Sequence, residues 1–177
     1  AEPLVIDLCT GSGCVACAIA TEHPGARVWA VDVSDAAVSA ARRNALHAGV
    51  ADGVQVVHGD LFDPLPRDLL GRTHLVVSNP PYVPSADLPD LPLEVLGFEP
   101  HTALDGGADG LDVFRRIAAD AGAWLLPGGA LALELDSGRV ADAADRLAEW
   151  YEGVVVRKDL TGRDRIVFGR KGQAMEP

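Results

Sequence analysis

Short runs of β-branched and aliphatic residues alternate with longer stretches of helical period along this chain. Leu4 to Leu8, Arg27 to Val31, Val54 to His58, His74 to Ser78 and Ala130 to Leu135 are brief and dominated by apolar residues, as in strands buried on both faces. Gly13 to Thr21, a stretch from a capping Ser34 to His47, Leu111 to Leu125 and Val140 to Trp150 predict helices. Strands separated in this way by helices predict a parallel sheet covered on both faces. Val154 to Arg157 and Arg165 to Gly169 predict an antiparallel pair that closes it, after a turn at Pro127-Gly128-Gly129. Residues 83 to 110 are rich in Pro, Gly and Asp with little periodicity, which predicts a long functional loop. The tail from Gly172 is expected to fray.

The 177 residues suit one domain, able to bury roughly 70% of its unfolded surface. Residues 1–171 are assigned to it, with 172–177 as a disordered tail. Ala1 leads into a strand almost at once, so the sequence reads as a domain cut from a longer chain. No apolar run reaches the roughly 20 residues that a membrane span requires, and no signal peptide is visible, so a cytoplasmic location is expected. The net charge of −11 argues against a broad nucleic-acid footprint. Arg163, Arg165, Arg170 and Lys171 gather near the C-terminus, as a local basic strip or equally as a solvated strand edge. Cys9, Cys14 and Cys17 have no distant partners and read as small core residues in a reducing compartment, not as a redox or metal pair. Trp29, Trp124 and Trp150 read as core or helix-packing residues. His58, His74 and His101 are scattered and suggest no general base.

The most distinctive chemistry stands at the end of the fourth apolar run, in Asn79-Pro80-Pro81-Tyr82. Proline fixes φ near −65° and removes a donor, and the residue before it is pushed toward extended geometry. The result is a stiff loop that shows a side-chain amide, bare carbonyls and an aromatic face. Such a loop accepts both hydrogens of a planar NH2 group while the ring packs against it. On these four residues alone, a Pro-rich turn with a capping Asn is an equal reading.

Asp7-Leu8-Cys9-Thr10-Gly11-Ser12-Gly13 joins the first strand to the first helix, where glycines let the chain turn and a ligand approach the backbone. Asp32 ends the second strand about 20 residues later, where a carboxylate takes both hydroxyls of a ribose. Ala16 occupies the place of a third glycine, so the glycines alone leave a pyrophosphate ligand open. Asp7 weighs against it, because a carboxylate beside the loop suits a cation and repels phosphate. Gly59-Asp60-Leu61-Phe62 follows the third strand. There Asp60 can accept from an exocyclic amine while Leu61 or Phe62 packs on the adenine. Two acidic groups around a sulfonium-bearing nucleoside favour S-adenosylmethionine.

With these segments in place, the chain resembles the HemK-type release-factor glutamine methyltransferases, within the class I S-adenosylmethionine-dependent enzymes. The resemblance runs over nearly the whole chain. It includes the Asp7 to Gly13 turn, Ala30-Val31-Asp32, Gly59 to Phe62 and Asn79 to Tyr82. It continues through Phe98-Glu99-Pro100, Ala103 to Gly107, Gly110-Leu111-Asp112 and Gly162-Arg163-Asp164-Arg165. It implies a Rossmann-like α/β fold: a seven-stranded, mostly parallel sheet with an antiparallel C-terminal strand and helices on both faces. It implies that S-adenosylmethionine contacts Asp7, Cys9, Thr10, Gly11, Ser12, Gly13, Asp32, Val33, Asp60, Leu61 and Asn79. Asn79, Pro80, Pro81 and Tyr82 would meet the substrate, a glutamine in a Gly-Gly-Gln loop of a peptide-chain release factor. Asn79, Pro80 and Tyr82 would be its catalytic residues, and the enzyme would act as a monomer.

Two features depart from the family pattern. No segment matches the helical N-terminal domain that helps family members dock the release factor. Where the family shows Glu-Ile-Gly or Glu-His-Gly, this chain has Glu134-Leu135-Asp136-Ser137-Gly138-Arg139, which leaves a paralogue acting on another protein open. The Asn-Pro-Pro-Tyr segment is shared with adenine-N6 methyltransferases of DNA and RNA, which would want a basic surface and stacking aromatics. A cofactor-binding module without catalysis is a further alternative, against which the intact Asn79 loop counts. Glu99 and Asp105 either order the long loop or meet the substrate.

Overall fold

The computed structural model describes residues 2–96 and 100–173. One sheet of seven strands holds β1 (Leu4–Leu8), β2 (Arg27–Asp32), β3 (Val54–His58), β4 (Thr73–Ser78), β5 (Leu125–Glu134), β6 (Glu152–Lys158) and β7 (Asp164–Arg170). Their order is β3-β2-β1-β4-β5-β7-β6. β1 to β5 run parallel, and β7 lies antiparallel between β5 and β6. The chain therefore winds outward from β1 through β2 and β3, then restarts on its other side at β4. That reversal opens a crevice at the carboxyl ends of β1 and β4, where doubly wound sheets take ligands. Leu8 pairs with both Val31 and Ser78, so the ends of three strands come level at that crevice.

Alternation along the strands builds two apolar layers. Val5, Val28, Ala30 and Val54 face α1 (Cys14–Glu22) and α2 (Asp35–His47), which meet them through Ala16, Ala20 and Ala45. Ile6, Leu8, Val31, Val76 and Leu131 face the other way, onto Phe114, Ile117 and Ala121 of the later helix Asp112–Trp124 and onto Val140, Ala143 and Leu147 of Val140–Leu147. Small residues let the first pair of helices lie close to the sheet, while the larger side chains sit in the second layer.

Three local expectations are corrected. The predicted turn Pro127-Gly128-Gly129 is drawn into β5, because β7 continues past its end. Gly128 N–H donates to the Lys171 carbonyl and Lys171 N–H to the Gly129 carbonyl. The helix from Val140 stops at Leu147, and Tyr151 turns inward in place of Trp150. The Tyr151 hydroxyl donates to the Ala118 carbonyl at 3.0 Å, which leaves Trp150 half exposed. Within residues 83–110 the predicted loop holds two one-turn helices, α3 (Leu93–Leu96) and α4 (His101–Leu104), and a bridge between Val83 and Asp105. The helix Asp112–Trp124 is α5 and Val140–Leu147 is α6. Phe98 and Glu99 lie outside the described residues, as do 174–177.

Candidate active site

The turn after β1 is made of left-handed residues. Cys9, Gly11 and Gly13 have φ of 54°, 56° and 78°. A non-glycine residue there costs of order 1 kcal/mol or more and persists only where its surroundings impose it. Here Thr10 N–H donates to the Val31 carbonyl and Gly13 N–H to the Thr10 carbonyl, at 3.0 and 2.8 Å. Gly13 has a second reason: a Cβ at this position would stand 2.9 Å from that of Ala41, so the start of α1 can press against α2 only without one. Asp32 then ties the turn to the next strand. Its Oδ2 accepts from Gly11 N–H at 2.8 Å and its Oδ1 from Ser34 N–H at 2.9 Å, each oxygen retaining further acceptor capacity, and the residue lines the cavity.

Asp7 lies beneath this turn and is 2% exposed. Burial pushes its carboxyl up to about 7, with the charge of Asp32 adding to the effect; the Thr10 hydroxyl, donating at 2.6 Å, and the Ala16 N–H act the other way. The site thus carries a buried acid poised to ionise when a cation arrives. The cysteines are less uniform than expected. Cys9 is largely enclosed, and burial pushes its thiol up to about 12; Cys17 is half-buried, and Cys14 is exposed at the cavity wall.

After β3, Leu61 is the second non-glycine residue with left-handed backbone, at φ 47°. That twist sends the two apolar neighbours to different places. Leu61 lines the cavity, while Phe62 turns into the core and stacks on Trp124 with centroids 5.4 Å apart. Of the two proposed walls for a planar ring, Leu61 remains. Asp60 is already engaged: its Oδ2 accepts from Arg116 Nη2 at 2.7 Å, a contact across 56 residues that no local pattern announces.

At the end of β4, the Ser78 hydroxyl donates to the Leu8 carbonyl at 2.7 Å and locks the two strand ends together. Asn79 emerges there, exposed, and lines the cavity with Pro81. Pro80 is buried below it, and Tyr82 is half-buried outside the cavity lining. The segment 103–112 backs this loop. Val83 N–H donates to the Leu104 carbonyl at 2.9 Å, and Gly106 N–H donates to the Val83 carbonyl at 2.8 Å. A Cβ on Gly106 would fall 2.8 Å from the Tyr82 Cα, and one on Gly110 2.3 Å from the Tyr82 carbonyl oxygen. Asp105 accepts from the Ser85 hydroxyl at 2.7 Å and from Gly107 N–H at 2.9 Å, so it orders the loop, and it also lines the cavity.

Three of the four basic residues near the C-terminus are engaged within the fold, while Arg163 is exposed. Arg170 donates to the Gly128 carbonyl and Lys171 to the Leu125 carbonyl. Arg165, with a side chain 19% exposed, reaches Glu134, Asp136 and the Tyr82 hydroxyl. His58 and His74 serve backbone contacts, His74 accepting from Leu4 N–H. His101 lines the cavity.

Asp7, Cys9, Thr10, Gly11, Ser12, Asp32, Val33, Asp60, Leu61, Asn79 and Pro81 thus share one cavity of about 900 Å³. Gly13, Pro80 and Tyr82 shape it from behind. Its wall also includes Thr102 and Arg116, which the sequence did not single out, and His101 and Glu134, which it named without a place at the site. The cavity brings together the buried Asp7 carboxyl, the Asp32 carboxylate and an apolar wall at Leu61 beside Asp60.

A family model described as "Methyltransferase small domain" matches residues 2–90. The chain belongs to the methyltransferase small domain family. A release factor glutamine methyltransferase from Gloeobacter violaceus is 46% identical over 165 residues, covering 92% of this chain and 57% of the relative. One from Rhodospirillum rubrum is 41% identical over 174 residues, covering 96% of the chain and 51% of the relative. The chain therefore spans about half the length of the curated relatives it matches. Among solved structures, an RNA methyltransferase from Salinibacter ruber in complex with S-adenosyl-L-homocysteine superimposes with a TM-score of 0.56. It shares 22% identity, with 98% of this chain and 84% of that one covered. The fold is the class I methyltransferase fold. Among the described residues no helix is long and apolar enough to cross a membrane.

Proposed function

We propose that this domain methylates the side-chain amide nitrogen of a glutamine in a protein, with S-adenosylmethionine as donor and a peptide-chain release factor as substrate. The observation that carries the reading is the joining of the Asp7–Asp32–Leu61 wall and Asn79 in one cavity. The donor set fits the cofactor: Asp7 for a cation, Asp32 for ribose hydroxyls, Leu61 and Asp60 for adenine. When bound, S-adenosylmethionine supplies an electrophilic methyl group on a sulfonium. The chain itself must hold an acceptor whose lone pair is delocalised into a carbonyl. Asn79 Oδ1 and the Pro80 carbonyl accept the two amide hydrogens, which aims the nitrogen and favours the positive charge that develops on it. No strong base is required, since the methylated nitrogen becomes acidic and releases its proton to solvent.

The named relatives, at 41–46% identity, favour glutamine over adenine. The net charge of −11 and the 5% aromatic content also weigh against the basic, stacking surface that a nucleic-acid substrate requires. The same proposal places the enzyme in the cytoplasm as a monomer. Presenting labelled S-adenosylmethionine with a release factor, a ribosomal protein, and DNA or RNA tests the reading. Label on the release-factor glutamine supports it, and label on adenine alone overturns it.

A further inference from the structure

The aromatic end of the Asn79 loop is held from the far side of the sheet. Arg165 on β7 donates from Nη2 to the Tyr82 hydroxyl at 3.2 Å and sets its guanidinium carbon 5.5 Å from the Tyr82 ring centroid. The same fork donates from Nη1 to Asp136 Oδ2 at 3.3 Å and from Nη2 to Glu134 Oε1 at 3.4 Å. The backbone fixes this meeting. Glu134 pairs with Ile166 in the sheet, and Leu135 N–H donates to the Arg165 carbonyl at 2.8 Å. Leu135 is fully buried, so the two carboxylates that flank it turn to the other side, onto the guanidinium.

An isolated arginine–carboxylate pair on an open surface contributes little. This guanidinium differs, being largely enclosed, forked between two carboxylates, and within cation–π distance of a ring. The Tyr82 backbone is fixed by Gly106 and Gly110, and its ring by Arg165. With prolines at 80 and 81, little freedom is left between that ring and Asn79. Glu134 also lines the cavity, so the anchor joins the cavity wall to the loop.

We infer that Arg165 is a positioning residue of the transfer site, setting Asn79 and the Pro80 carbonyl through its grip on Tyr82, with Glu134 and Asp136 as anchors. This rests on the reading of the Asn79 loop as the amide-binding element. Arg165 touches no reacting atom. The unusual Glu134-Leu135-Asp136 segment then has a role, because Asp136 supplies the second carboxylate of the fork.

The chain has two tyrosines, so ring-labelled tyrosine gives two sets of NMR signals. Arg165→Met is expected to move the Tyr82 signals and leave those of Tyr151, which is bonded to Ala118, in place. It is also expected to lower kcat for glutamine methylation about 10- to 100-fold with S-adenosylhomocysteine affinity unchanged. Asp136→Asn should fall between it and wild type, and Arg165→Lys should recover part of the loss. An unmoved Tyr82, or wild-type kcat in Arg165→Met, overturns the inference. So does a general loss, in which both tyrosines move and cofactor affinity falls with kcat. If wild-type protein methylates no glutamine, the functional reading fails instead, and the Tyr82 signals still decide whether Arg165 sets the loop.

Discussion

The two walls of the cavity are built in opposite ways. The Gly-rich wall is local: Asp7, Thr10, Gly11 and Asp32 are joined by backbone and short side-chain bonds within 25 residues of one another. The Asn79 wall has a long-range member. Its loop is backed by Gly106 and Gly110, and it is gripped by Arg165, 83 residues from Tyr82. A local turn is specified by the residues that form it, whereas the second wall exists only when distant strands are in register. We read the first as the holder of an invariant cofactor and the second as the part that adapts to an acceptor.

Removing Asn79 is the sharpest way to break that division. Asn79→Ala should cost about 10²- to 10³-fold in turnover, while S-adenosylhomocysteine binding by calorimetry stays within severalfold. Equal losses in both would show that the two walls are not separate in function.

Asp7 tests the local wall through pH. Folded Asp7 keeps its proton to about pH 7, raised from 3.8 mainly by burial. The native state therefore binds more protons than the unfolded chain across this window, and stability falls as pH rises from about 4 to about 7, by on the order of 4 kcal/mol in all. Asp7→Asn should flatten that part of a pH-resolved unfolding series. Cofactor binding by the wild type near pH 6 should release a proton, seen as buffer-dependent binding heat and absent in the variant.

Gly110 tests the assembled wall through packing. Its φ is 77°, and a Cβ would meet the Tyr82 carbonyl oxygen, so Gly110→Ala should cost about 2–3 kcal/mol. Scanning calorimetry should show Tm lower by roughly 5–10 °C. The smallest effect is expected at Arg116, whose pair with Asp60 is half exposed on both sides. Arg116→Met should change denaturant stability by less than about 1 kcal/mol.

The same contrast explains what could be read in advance. The seven strands, the Ser34 cap and the Asp7–Gly13 turn are carried by short periods and local turn chemistry, and they lie close to where the pattern put them apart from the early start of β5. Trp150 misled because the helix ends at Leu147 and Tyr151 takes the buried place, a choice made by the α5 carbonyl it reaches. Phe62 went to the core because the left-handed Leu61 rotates the chain between them. Arg116 and Arg165 gave no local signal, since their partners come from other elements through the sheet order. Arg165 carried only the hint of standing in a Gly-Arg-Asp-Arg segment.

The central claim is that the assembled wall presents a planar amide to the local wall's cofactor. Tandem mass spectrometry after one round of transfer tests it directly, with a Gly-Gly-Gln-bearing release factor and an adenine-bearing oligonucleotide in the same tube. The account predicts a single methyl group on the glutamine side-chain nitrogen and none on adenine. A methyl group on adenine with the glutamine untouched contradicts it.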